Sequence, residues 1–194
     1  AYQISHQGRP ALGVLLNGSL PAILLAVLTL AVSGGIAGGS SGELSQIALP
    51  IGASVAAVLL HSVFGGVLLG QEAFVRYNSV LVLPPALSLG AIAIAVWVLG
   101  EATPGAALGV FAIGQWIAVP LALVLVISAS RAFAGFEPVL LKALAGFGLF
   151  AALASTISYL NYRGDLFVVA HFEGRDGVGI YGNSVYIAES VWLL

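Results

Sequence analysis

The chain has 194 residues, no cysteine and no methionine, and very little charge, with six basic and eight acidic side chains. The missing cysteine excludes disulfides, thiolate metal sites and a cysteine nucleophile. The scarcity of charge excludes more. A soluble domain of this length must cover its surface with polar groups. Here 60% of the residues are hydrophobic and 7% are charged, and the mean hydropathy is +1.08. The medium around most of the chain is therefore lipid. A net charge of −2 without a basic stripe argues against a nucleic-acid partner, because nothing is there to displace counterions from phosphates. Also missing are a phosphate-cradling glycine loop with Lys and Ser/Thr, a Gly-x-Ser-x-Gly elbow and a His/Asp/Glu set at metal-ligand spacing. No built-in ATPase, metal site or cofactor is expected, and the chain does not read as an enzyme. Nor is the first apolar run a signal peptide, since it is too long and further spans follow it.

What is present is a series of long charge-free intervals. Residues 10–42, 44–71, 77–100, 102–130 and 143–162 contain no Asp, Glu, Lys or Arg. Each is at least 20 residues long, and an α-helix needs about 20 to cross a hydrocarbon core of roughly 30 Å. A membrane β-barrel would instead show segments of about ten residues with alternating polarity. The pattern predicts an all-α, polytopic transmembrane bundle of six spans, at 11–33, 47–70, 80–99, 107–129, 143–171 and 177–194. Gly34, Gly35, Gly38, Gly39, Ser40, Ser41 and Gly42 mark the first connector, and Pro104-Gly105 ends the third. Pro84 and Pro85 are expected to open the third span, while Pro21 and Pro120 fall inside spans and should kink them.

Arg9, Arg76, Arg131 and Lys142 lie on one side of this topology, before span one and after spans two and four. The opposite loops, 34–46, 100–106 and 172–176, hold one basic residue, Arg175. The positive-inside rule then makes both ends cytoplasmic. The last run stops at Leu194 without a basic flank, so a longer parent protein, cut at both ends, is expected.

Candidate functional residues concentrate in 155–165. At about 100° per residue, Ser155, Ser158, Tyr159, Asn161, Tyr162, Arg163 and Asp165 share a broad face, opposite Leu153, Ile157, Leu160, Gly164, Phe167 and Val168. A polar stripe on a membrane helix faces a water-filled cavity or the bundle interior. Arg163 there suits an anionic group, with Tyr159, Asn161 and Tyr162 beside it for substrate, and Asp165 suits a cation. A structural ion pair or a headgroup-level position is the simpler alternative. Glu189 is a second intramembrane charge, read equally as an ion-coupling group or as a side chain reaching for the interface. His61, in mid-span, reads as a hydrogen-bonded packing residue. Pairs such as Gly65-Gly66 and Gly146/Gly148 suit close helix packing.

The stretch Ser158-Tyr159-Leu160-Asn161-Tyr162-Arg163-Gly164-Asp165-Leu166-Phe167-Val168-Val169-Ala170, followed by Gly177-Val178-Gly179-Ile180-Tyr181 and Ala188-Glu189, resembles the Wzx-type oligosaccharide flippases. These are polysaccharide biosynthesis transporters of the multidrug/oligosaccharidyl-lipid/polysaccharide superfamily. Gln71, Arg76-Tyr77-Asn78 and Leu83-Pro84-Pro85 resemble that family's segment between its fourth and fifth helices. The resemblance is strongest over 155–192. It implies the middle part of a two-lobe transporter of 12–14 helices: residues 1–130 as four helices of an N-lobe, 131–142 as a cytoplasmic linker between the lobes, and 143–194 as the first two helices of a truncated C-lobe. The implied function is alternating-access translocation of a polyprenyl-diphosphate-linked oligosaccharide across a prokaryotic inner (plasma) membrane. Arg163 would hold the diphosphate, and Asp165 or Glu189 would couple an ion. Partners would be the lipid bilayer, the lipid-linked oligosaccharide, and the glycan polymerase and glycosyltransferases of the same pathway. Three alternatives stand beside it. A drug/cation antiporter of the same superfamily favours an acidic cavity. A membrane-embedded polymerase or glycosyltransferase needs an acidic catalytic cluster or a large external loop. A plain membrane anchor leaves the polar stripe unexplained.

Overall fold

A computed structural model describes residues 2–97, 100, 103–130 and 135–191. Among these every regular element is an α-helix: α1 (Tyr2–Ser5), α2 (Ala11–Gly39), α3 (Glu43–Gly70), α4 (Phe74–Trp97), α5 (Pro104–Ala129) and a long helical run, Pro138–Val191. Gly174 breaks that run with a left-handed backbone (φ 68°, ψ −162°), a conformation that costs glycine little and other residues more. The run is therefore two helices, α6 (Pro138–Gly174) and α7 (175–191).

Five helices, α2 to α6, are long and apolar enough to cross a membrane. This makes the protein a multi-pass helical membrane protein, with five candidate spans rather than the six expected. The expected sixth span, 177–194, coincides with α7, and its last residues, 192–194, lie outside the described ones. Over 175–191, α7 is shorter than the roughly 20 apolar residues a crossing requires. It also carries Asn183, Glu189 and the helix-weakening Gly177, Gly179 and Gly182.

Two further expectations change. The glycine-rich loop 34–46 shrinks to 40–42, because α2 continues to Gly39 and α3 starts at Glu43. In lipid an unbonded peptide group costs several kcal/mol, against about 1 kcal/mol for a glycine inside a helix, so the helical ladder wins. Likewise Pro84 and Pro85 lie inside α4, which starts at Phe74. A tight reversal makes that early start possible. Glu72 takes a left-handed conformation (φ 58°), and Ala73 N donates to Leu68 O at 3.0 Å, which satisfies the end of α3. α2 and α5 continue as helices through Pro21 and Pro120. At the other end of the bundle Thr103 caps α5, its Oγ1 accepting from Ala106 N at 3.2 Å, with Pro104 at the first helical position.

The chain forms two compact units, Ala1–Ala145 and Gly146–Leu194. In the first, α3 packs against α2, α5 and α4, and α4 packs against α5. Its apolar core joins Val14 and Leu15 of α2, Phe64, Val67 and Leu68 of α3, Val80 of α4, Ala122 and Val126 of α5, and Leu140 at the start of α6. These positions alternate between helix starts and helix ends, as an up-and-down bundle requires. Small residues set the closest approaches. A Cβ on Gly114 would stand 2.6 Å from both Cα and N of Ser88, and one on Gly52 would strike the Ser33 side chain. In the second unit α7 folds back along α6.

Of the linker expected at 131–142, residues 131–134 lie outside the described ones. The part that follows is clamped to α2. Arg9 Nη1 meets Glu137 Oε2 at 2.7 Å. Asn17, fully buried, donates to Gly13 O (2.8 Å) and Gly135 O (3.5 Å) and accepts from Glu137 N (3.1 Å).

Candidate functional site

The polar stripe predicted over 155–165 lies on α6 as one continuous helical face. Helix α6 is 37 residues long, or about 55 Å at 1.5 Å per residue. It therefore exceeds a hydrocarbon core of about 30 Å. The charge-free stretch 143–162 matches that core, so Arg163 and Asp165 stand at its edge.

Here α7 supplies the partners. Arg163 Nη2 donates to Glu189 Oε2 at 3.0 Å. The guanidinium also lies over the Tyr162 ring, 5.0 Å from its centroid, within the range of a cation–π contact. Arg163 is 9% exposed. Glu189 is half-buried, and its carboxylate also meets the Tyr162 side chain. Asp165 does not face Arg163, as two-residue spacing on a helix dictates. Its Oδ2 accepts from the Tyr181 hydroxyl at 2.5 Å, and its Oδ1 accepts from Leu166 N at 2.9 Å. This hydrogen bond raises the Tyr181 pKa above the ordinary phenol value.

Arg163, Tyr162 and Glu189 thus come together, and Asp165 joins Tyr181 on the same pair of helices. Tyr159, 62% exposed, and Asn161, also exposed, extend the stripe without entering the cluster. Chemically the cluster can exchange partners. A carboxylate shared between a guanidinium and a phenol holds the arginine, and an incoming anion or proton can compete for either charged group. With both carboxylates ionised it carries one positive and two negative charges.

Sequence reasoning treated Glu189 and Arg163 as separate charges. The pairing depends on the reversal at Gly174, and Gly174-Arg175-Asp176-Gly177 was the available signal of a turn. Tyr181 was not singled out as a partner. In the first unit, His61 is the packing residue expected. Its Nε2 bonds the Gln115 carbonyl at 3.2 Å, and its ring meets Phe64 edge-on, 6.3 Å between centroids. Sequence reasoning missed Asn17 and Gln115, two buried carboxamides in apolar helices. Their polarity inside charge-free intervals was the signal.

No family model, curated protein or solved structure matches the chain. A multi-pass helical membrane protein is what fold and composition establish.

Proposed function

We propose that the chain is part of a transporter rather than an enzyme. In this reading it moves a polyprenyl-diphosphate-linked oligosaccharide across a prokaryotic plasma membrane by alternating access. The observation that carries this reading is the burial of Arg163 immediately after the charge-free stretch 143–162 of α6, held by Glu189. An ionisable residue in that setting is costly and marks a functional site by default. A diphosphate offers a guanidinium stronger, bidentate acceptors than one carboxylate oxygen, so substrate would displace Glu189. The freed carboxylate would then take the coupling ion, with Asp165 as the second candidate. The motif resemblance over 155–192 supplies the substrate class.

The excess of carboxylates in the cluster, Asp165 and Glu189 against Arg163, favours a second reading, a drug/cation antiporter. The two readings separate in proteoliposomes. A fluorescent polyprenyl-diphosphate oligosaccharide, followed by its accessibility to a membrane-impermeant quencher, should flip with the wild-type protein. It should fail to flip with Arg163→Ala and move slowly with Arg163→Lys, all inserted to the same level. Wild-type flipping by Arg163→Ala ends the flippase reading. Uptake of an organic cation that survives Arg163→Ala but not Glu189→Gln establishes the antiporter instead.

A further inference from the structure

Gln115 lies in the middle of α5 and is 5% exposed. Its backbone carbonyl accepts from His61, but its side-chain carboxamide has no hydrogen-bond partner among the described residues. A carboxamide that bonds nothing in the protein keeps its donors and acceptor for a molecule that can reach it. This one lines a cavity of about 500 Å³ between α3, α4 and α5. His61 and Tyr77 line the same cavity. With His61 Nε2–H donating to the Gln115 carbonyl, Nδ1 is the acceptor nitrogen, and it is buried without a partner. The Tyr77 hydroxyl has none among the described residues either. Unused hydrogen-bonding capacity therefore lines the cavity.

The remaining walls state what else the occupant must be. No Asp, Glu, Lys or Arg lines the cavity, so a phosphate, carboxylate or amine would enter without a counter-charge. Apart from His61, Ser62, Tyr77 and Gln115 the lining is apolar, with Gly66, Leu69 and Leu81 among it. Leu69 and Leu81 are 39% and 52% exposed and border the opening. His61 and Gln115 stand well inside α3 and α5, at hydrocarbon depth, so a ligand reaches them through lipid. A hydroxyl donates and accepts at once, which suits a carboxamide.

We propose that this cavity binds a neutral lipid with a single hydroxyl head, a long-chain alcohol. Its hydroxyl bonds the Gln115 carboxamide and its chain runs along Gly66, Leu69 and Leu81. The site is independent of Arg163 and of the transport reading.

The test uses the whole chain in lipid nanodiscs with three diazirine photoprobes of equal chain length: an alcohol, its phosphate monoester and the plain hydrocarbon. The alcohol should label peptides around Gly66–Leu69 and Leu81 about fivefold more than the hydrocarbon, the ratio one hydrogen bond of ordinary net strength gives. Unlabelled alcohol should compete, and the phosphate ester should not exceed the hydrocarbon. Gln115→Leu should bring the alcohol down to the hydrocarbon level without lowering the melting temperature, since it removes an unbonded buried amide. Gly66→Leu fills the cavity from a position where a new Cβ meets nothing within 4 Å, and should suppress alcohol labelling independently. Arg163→Ala should leave the labelling unchanged. Equal labelling by alcohol and hydrocarbon, or full alcohol labelling in either cavity variant, overturns the proposal.

Discussion

Replacing Gly114 by alanine tests the helix packing of the first unit where two described helices come closest to backbone contact. The added methyl would lie 2.6 Å from Ser88 Cα and N and 2.8 Å from its Oγ. Two of these atoms are backbone, so no rotamer change relieves the clash. Helices α4 and α5 must separate by about 1 Å to restore carbon–carbon contact. Overpacking of this kind costs about 1–3 kcal/mol. Separation also weakens the bond from Ser88 Oγ to Phe111 O, 3.0 Å long, worth about 0.6–1 kcal/mol in a membrane bundle. Against these stands the helix preference for alanine over glycine, about 1 kcal/mol. The net expectation is a loss of about 1–3 kcal/mol, or about 2–4 °C of melting temperature per kcal/mol for a chain of this size. Gly109, on the same helix, faces open space, so Gly109→Ala should be neutral or stabilising by up to about 1 kcal/mol. Thermal unfolding in detergent can be followed by tryptophan fluorescence, since Trp116 Nε1 bonds Ala53 O across α5 and α3 at 3.0 Å. Trimming Ser88 to glycine should not rescue Gly114→Ala, because the offending atoms belong to the backbone. A Gly114→Ala protein that melts at or above the wild-type temperature refutes the packing described.

Asn17→Ala removes three hydrogen bonds and leaves Glu137 N–H without its acceptor. A loss of about 2–4 kcal/mol follows, with faster proteolysis near residue 137, whereas Arg9→Ala should cost less than about 1 kcal/mol because that ion pair is largely solvated. Arg163→Glu and Glu189→Arg should each destabilise the protein. The double exchange should recover most of that stability but not lipid-linked oligosaccharide transport; recovered transport would make the pair purely structural. Tyr181 should ionise above the ordinary phenol value of 10.0, and Asp165→Asn should lower it in an ultraviolet titration. A raised phenol pKa means the bond to Asp165 contributes fully below the ordinary value and is lost as pH rises through the raised one. An unchanged titration in Asp165→Asn would remove that bond from the account.

Much of the first unit was legible because lipid makes the pattern simple. Where no charge can be tolerated, charge-free intervals and helices coincide, and α2 to α5 followed from counting. Helix ends were less legible, since glycine and proline act as breakers in water, where a freed peptide finds another partner. In lipid Gly34 to Gly39 and Pro84-Pro85 stay inside helices. Residues 155–165 were singled out by their polarity, but the union of Arg163 with Glu189 depends on a single backbone conformation at Gly174. Periodicity carries no information about that. Asn17 and Gln115 escaped notice because a neutral amide barely changes a hydropathy sum, although each alters the wiring of its helix.

The order in which the chain is made gives the reversal at Gly174 one more consequence. When α6 leaves the ribosome, Arg163 does not yet have Glu189 beside it, because that residue is synthesised 26 residues later. A lone arginine at the centre of an inserting helix costs about 2.5–3.5 kcal/mol on translocon scales, and less near the edge. Settling of α6 in the bilayer is therefore tied to the emergence of α7. The two helices enter membrane biogenesis as a hairpin in which Arg163 meets Glu189 only once the second arm exists.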